Sequence, residues 1–158
     1  MPRTFRILSI ALALLGASAF AMAVEGGHWW TLDEVSVGPV STQQCFGGTC
    51  AQTGFEWIGP AGSWIRWGAA AYAAGLGAAL VLVTLAASLA SKRNGRLAAR
   101  VAIVAAGTAV AVGGLFIYTF PSLPGMVMDR GIWLYGGGVM LAAAAALVAL
   151  RGARRFTA

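Results

Sequence analysis

Of the 158 residues, 59% are apolar and only 10% are charged, against about a quarter charged in a water-soluble domain, and the mean hydropathy is +0.77. These proportions exclude an ordinary soluble domain and point to an integral membrane protein. The formal charge of +6 does not imply nucleic-acid binding, because the basic residues gather at the ends of apolar stretches, where orientation and anionic lipid head groups account for them.

Four apolar stretches are long enough to be read as membrane spans: 7–24, 67–90, 101–120 and 132–150. The first follows Arg3 and Arg6 and ends in Ala19-Phe20-Ala21-Met22-Ala23, which is also the pattern of a cleavable secretory signal. A retained helix is expected, because cleavage would remove the tether of the long loop that follows. Either way the topology is the same. All acidic residues lie in segment 25–66 (Glu25, Asp33, Glu34, Glu56) or 121–131 (Asp129). Arg3, Arg6, Lys92, Arg93, Arg96, Arg100, Arg151, Arg154 and Arg155 lie in the N-terminus, in 91–100 or in the tail 151–158. Lys and Arg near span ends stay on the cytoplasmic side, so both termini and 91–100 are expected inside and the two acidic loops outside, in the cell (plasma or inner) membrane.

Segment 25–66 is long enough to fold. Thr31–Val37 alternates weakly, as a half-buried strand does, until Gly38-Pro39 breaks it. Val40–Phe46 and Thr49–Phe55 flank Gly47-Gly48 and read as a hairpin with a two-residue turn. That register sets Phe46 opposite Thr49 and Cys45 opposite Cys50, with Cα atoms roughly 4.5 to 5.5 Å apart. A disulfide fits this spacing, on the side of a membrane where disulfides persist. Other uses of the pair fit less well. No C-x-x-C or C-x-x-C-H motif is present, and a metal would need ligands beyond the only histidine, His28.

All six tryptophans fall on the outer side. Trp29, Trp30, Trp64, Trp67 and Trp133 flank span ends, where interfacial anchoring explains them, whereas Trp57 suits a small core in the loop or a loop lying on the bilayer. Ser63 is placed to cap a helix from Trp64. Arg66 is expected to meet head groups or to pair with Glu25, Asp33, Glu34 or Glu56, and Asp129 to cap the fourth helix.

The second, third and fourth stretches carry clustered glycines: Gly75 and Gly77, then Gly107, Gly113 and Gly114, then Gly136–Gly138. Small residues let helix backbones approach closely in a bilayer. No Asp, Glu, Lys, Arg or His lies within the four stretches, which argues against a pump, a proton-coupled transporter or a bis-His haem protein. The fold expected is a single membrane domain, 1–158. It is an all-α bundle of four transmembrane helices, with a small antiparallel β element pinned by Cys45–Cys50 in the first outer loop.

The order of these parts resembles the superfamily of claudins, peripheral myelin proteins and epithelial membrane proteins. A Trp stands early in the first outer loop (Trp29 or Trp30), two close cysteines follow (Cys45, Cys50), and an Arg opens the second span (Arg66). A short basic inner loop and a short second outer loop complete the likeness. The family's Gly-Leu-Trp before the first cysteine is replaced by Ser41-Thr42-Gln43-Gln44, and the cysteines are more closely spaced. The resemblance implies a small outer sheet over a left-handed four-helix bundle.

Function is then expected to reside in the outer loops. The first reading is a non-enzymatic scaffold, adhesion or interaction protein, partnered by lipid and by copies of itself or other membrane proteins. The alternative is an accessory subunit of a larger respiratory or photosynthetic complex. An enzyme is less favoured: no Ser–His–Asp set, carboxylate pair or phosphate loop appears, although Glu25, His28, Asp33 and Glu56 are all on the outer side. Neither a cofactor nor a metal is expected.

Overall fold

The computed structural model describes residues 2–26, 28–56, 58, 62–91 and 95–154. Four long helices run Arg3–Glu25 (α1), Ser63–Ala90 (α2), Arg96–Thr119 (α3) and Arg130–Arg154 (α4). Each is long and apolar enough to cross a membrane. They extend past the apolar stretches because backbone hydrogen bonding continues through flanking polar residues that already have helical geometry. Ser63 does not cap α2; it is the first helical residue, and Gly62 precedes it without a side-chain cap. Asp129 does serve the start of α4, its side chain accepting the Arg130 N–H at 2.6 Å.

The helices form a four-sided bundle. α1 packs broadly against α4 and α2, α3 packs against α2 and α4, and α2 barely touches its diagonal partner α4. On α1 the buried positions are Ser9, Ala13, Gly16, Ala17, Phe20, Ala23 and Val24, one stripe of a 3.6-residue period. The interior changes along its length. Towards the basic ends it is lined by Ala99, Ala102, Ala145, Ala146 and Ala149 with Leu82, Leu85 and Leu89. Alanines bring the backbones close, and Ser9, fully buried, satisfies its hydroxyl on the Ala145 carbonyl at 2.8 Å. Arg96 reaches across from α3 to the Ala153 carbonyl near the end of α4, at 2.9 Å.

Outside the bundle, Ile7, Leu8, Leu14, Leu15, Leu80, Val83, Val101, Ile103, Val104, Val110, Met140 and Leu147 are exposed. An apolar surface of this extent is foreign to a protein in water.

At the opposite end lies a five-stranded antiparallel sheet in the order β4-β3-β2-β1-β5. β1 (Trp30–Leu32) turns through Asp33 and Glu34 into β2 (Val35–Val37). The single strand expected over Thr31–Val37 is therefore a hairpin. Asp33 has φ 51°, a left-handed conformation that a short polar side chain tolerates and that alternation alone does not reveal. β3 (Thr42–Phe46) and β4 (Thr49–Thr53) form the expected hairpin around Gly47 (φ 55°) and Gly48 (φ 85°), in the expected register. β5 (Val127–Met128) comes from the second loop and pairs with β1. Nothing in its two residues announces a strand.

Candidate functional site

Three features meet at the sheet end: an aromatic core beneath the sheet, a disulfide-closed hairpin at its edge, and two clefts beside the end of α1.

The core begins with Trp29. Its N–H donates to the Val37 carbonyl at 2.8 Å, and its carbonyl accepts the Asp129 N–H at 2.9 Å. With Gly131 N–H donating to the His28 carbonyl at 2.8 Å, the chain before β1 is tied both to β2 and to the start of α4. So held, the Trp29 ring points into the bundle. It is fully buried and lies 5.0 Å from the Tyr135 ring and 5.4 Å from Phe116. Its Nε1–H donates to the Ala23 carbonyl at 2.9 Å, one of the last carbonyls of α1.

Trp30 stacks on Phe120 at 3.9 Å with an interplanar angle of 9°, and Trp64 meets Phe120 and Phe55 edge-on. Phe20 packs edge-on against Tyr135. The Tyr135 hydroxyl lies 3.3 Å from both the Ala71 and Ala109 carbonyls, so a residue of α4 shares its one proton between α2 and α3. Glycine makes room for these rings. A Cβ on Gly113 would come 2.8 Å from the Tyr135 ring, one on Gly75 3.0 Å from it, and one on Gly138 3.0 Å from Phe20. Every helix and the sheet thus contribute to one aromatic joint, with edge-to-face geometry that adds to simple burial.

This changes the role of the tryptophans. Trp29, Trp30 and Trp64 are not anchors in an interface; they are 0%, 6% and 6% exposed and join the sheet to the bundle. Trp67 is half-buried against the same core, and Trp133 alone of those described is widely exposed, at 72%. Trp57 lies outside the described residues. Arg66 is exposed, and one of its acidic candidates, Glu25, takes a hydrogen bond from the Tyr72 hydroxyl of α2, at 2.5 Å.

At the edge, Cys45 and Cys50 are disulfide-bonded with Cα atoms 4.0 Å apart. Thr42, fully buried, donates its hydroxyl to the Thr53 carbonyl at 3.0 Å and lies 2.6 Å from the Thr53 hydroxyl, closing the other end of the hairpin. Among the described residues β4 has β3 on one side only. Its residues Thr49, Cys50, Ala51, Gln52 and Thr53 include neither charge nor proline, the usual protections of a free edge.

The four outer polar residues do not gather in one place. Glu25 and His28 share a cleft of about 90 Å³ with Ser36, Ser41, Gln43 and Gln52. Glu56 lines a separate depression with Val35, Gln44 and Thr53, and Asp33 sits in the β1–β2 turn. No group of three or more His, Cys, Asp or Glu side chains is arranged to hold a metal among the described residues. The second cleft, about 460 Å³, opens between α1 and α4 and is lined by Ala21, Met22, Glu25, Gly26, Arg130 and Leu134.

A scan against protein-family models and a search of curated proteins each return no match to this chain.

Proposed function

We propose that this chain is a non-enzymatic, four-span membrane protein that works as a scaffold or adhesion protein through its disulfide-pinned sheet, in the manner of the claudin-like layout its sequence resembles. The single observation that carries this reading is the mounting of the sheet. A sheet used only as a loop needs no rigid joint, whereas here Trp29, Trp30 and Trp64 fix it to all four helices, and the outer edge of β4 is uncharged and has no strand beside it among the described residues. An open edge of this kind adds a strand from a partner, with backbone hydrogen bonds giving the affinity.

The orientation follows from charge: sheet outside, termini and the Lys92–Arg100 connection in the cytoplasm. Fusion of a periplasm-active or exterior-active reporter at the C-terminus is expected to stay silent, while the same reporter inserted after Gly48 is active. The reverse pattern refutes the orientation.

The partner test places a photo-crosslinking residue at Gln52, in β4, and another at Gln43, in the neighbouring β3. The expected result is a discrete adduct from position 52 in intact membranes and less from position 43. A solubilised protein that is only monomeric, with no adduct from either position, ends this reading. Open helix surface favours a second reading, an accessory subunit of a larger complex. Around Gly107, Gly114, Gly136 and Gly137 an added Cβ would meet nothing within 4 Å, which leaves close approach to another helix unobstructed. Native purification separates the two, since the first predicts a homo-oligomer and the second predicts co-purifying large subunits, haem or pigment.

A further inference from the structure

We propose that the groove between the sheet-side ends of α1 and α4 binds one phospholipid whose head group carries a primary ammonium. This rests on the reading of the chain as a membrane protein with the sheet outside, and it assigns the ligand to the outer leaflet.

The groove has the three parts that such a lipid has. Its walls, Ala21, Met22 and Leu134, are apolar. One lip carries Glu25, the last residue of α1, and the other Arg130, the first of α4. Among the described residues no ion pair joins these two; the Asp129 carboxylate beside Arg130 is engaged by the Arg130 N–H at 2.6 Å, and the guanidinium itself makes no ion pair. A zwitterionic head group supplies a partner to each: its phosphate to the guanidinium, which presents paired donors, and its ammonium to the Glu25 carboxylate. Tyr72 holds Glu25 by one oxygen, Oε1, and leaves the other to accept. A primary ammonium donates to a carboxylate and a quaternary one does not, which selects ethanolamine-type over choline-type head groups.

The size agrees. About 460 Å³ admits a head group and the first part of a chain, within the range of small-molecule sites. Below it, Ala11, Leu14, Leu15, Ser18 and Met22 form an exposed stripe at helical spacing, along which an acyl chain continues. Gly26 lies between the groove and the polar cleft of His28, Ser36, Gln43 and Gln52, and lines both. Its φ is −115°, and among the described residues a Cβ there would meet only the Met22 carbonyl, at 3.8 Å. A side chain is therefore allowed at this position, and a large one would fill the groove beside Glu25.

The test is native mass spectrometry of delipidated full-length protein in mild detergent, offered an equimolar mixture of dioleoyl phosphatidylethanolamine, phosphatidylcholine and phosphatidylglycerol. One phosphatidylethanolamine is expected to be retained over each competitor by about three-fold or more, as befits solvent-accessible charge pairs. Glu25→Gln is expected to erase the preference over phosphatidylcholine while phospholipid still binds. Arg130→Gln is expected to weaken all three alike. Gly26→Leu is expected to lose the bound lipid with an unchanged thermal midpoint. Retention in proportion to the mixture offered, or the same retention in Glu25→Gln and Gly26→Leu as in the parent, overturns the site. Release of the protein from membranes by carbonate without detergent overturns the four-span reading instead, so the two failures are told apart.

Discussion

Replacing Trp29 by Ala tests the aromatic joint directly. The ring is fully buried, touches Trp30, Phe116 and Tyr135, and donates to the Ala23 carbonyl. Truncating a buried tryptophan to alanine costs about 3–5 kcal/mol, as lost contacts plus the cavity left behind. The Trp29 hydrogen bond to the Ala23 carbonyl, near the end of α1, would also be lost, about 1 kcal/mol on its own. Trp29→Phe separates the two contributions, since it keeps a ring and removes only the donor and part of the volume. For a chain of this length each kcal/mol moves the midpoint by about 2–4 °C, so Trp29→Ala is expected to lower it by roughly 10 °C and Trp29→Phe by about half as much. Trp133→Ala is the control: at 72% exposure it is expected to shift stability by less than about 1 kcal/mol. The assay is thermal unfolding of protein in a single detergent, followed by near-ultraviolet circular dichroism. Equal shifts for Trp29→Ala and Trp133→Ala would mean that both rings anchor the interface and that no joint exists.

Glycines on one helix give a second comparison. Gly113→Ala drives a Cβ to 2.8 Å from the Tyr135 ring and is expected to destabilise by about 1–3 kcal/mol, whereas Gly107→Ala meets open space and is expected to be neutral or to gain up to about 1 kcal/mol in the same unfolding assay. Tyr135→Phe removes a hydroxyl shared by the Ala71 and Ala109 carbonyls, and is expected to cost about 1 kcal/mol with the rings left in place; a loss as large as that of Trp29→Ala would show that this hydroxyl organises the bundle. Replacing Cys45 and Cys50 together by Ser opens a loop only five residues apart in sequence and is expected to cost about 2 kcal/mol. Hydrogen exchange then locates the loss: β3 and β4 amides accelerate, and those of α1 and α4 keep their protection.

Much of this molecule is legible in its sequence for local reasons. A run of apolar residues long enough to span a bilayer forms a helix because its backbone groups must satisfy one another, whatever surrounds it. Gly47-Gly48 permits positive φ at two consecutive residues, which fixes the turn, the register and therefore the facing of Cys45 and Cys50. Both are decided within a few residues of chain.

The functions of the tryptophans are not decided so. Trp29 and Trp133 stand alike beside apolar stretches, and composition gives both to an interface. Only the fold separates them: the backbone of 28–30 is gripped between β2 and residues 129–131, a contact about 100 positions away in sequence, and this turns the Trp29 ring inward. β5 exists for the same reason, since Val127 and Met128 are extended only because β1 offers them an edge. The groove of Glu25 and Arg130 is likewise a product of packing α1 on α4. The sequence by itself determined the four helices, the disulfide hairpin and which ends carry which charge, because these depend on neighbours along the chain. Tertiary structure alone decided which rings are core, which edge is open and which charges share a groove, because those depend on helices and strands that meet only when the chain closes on itself.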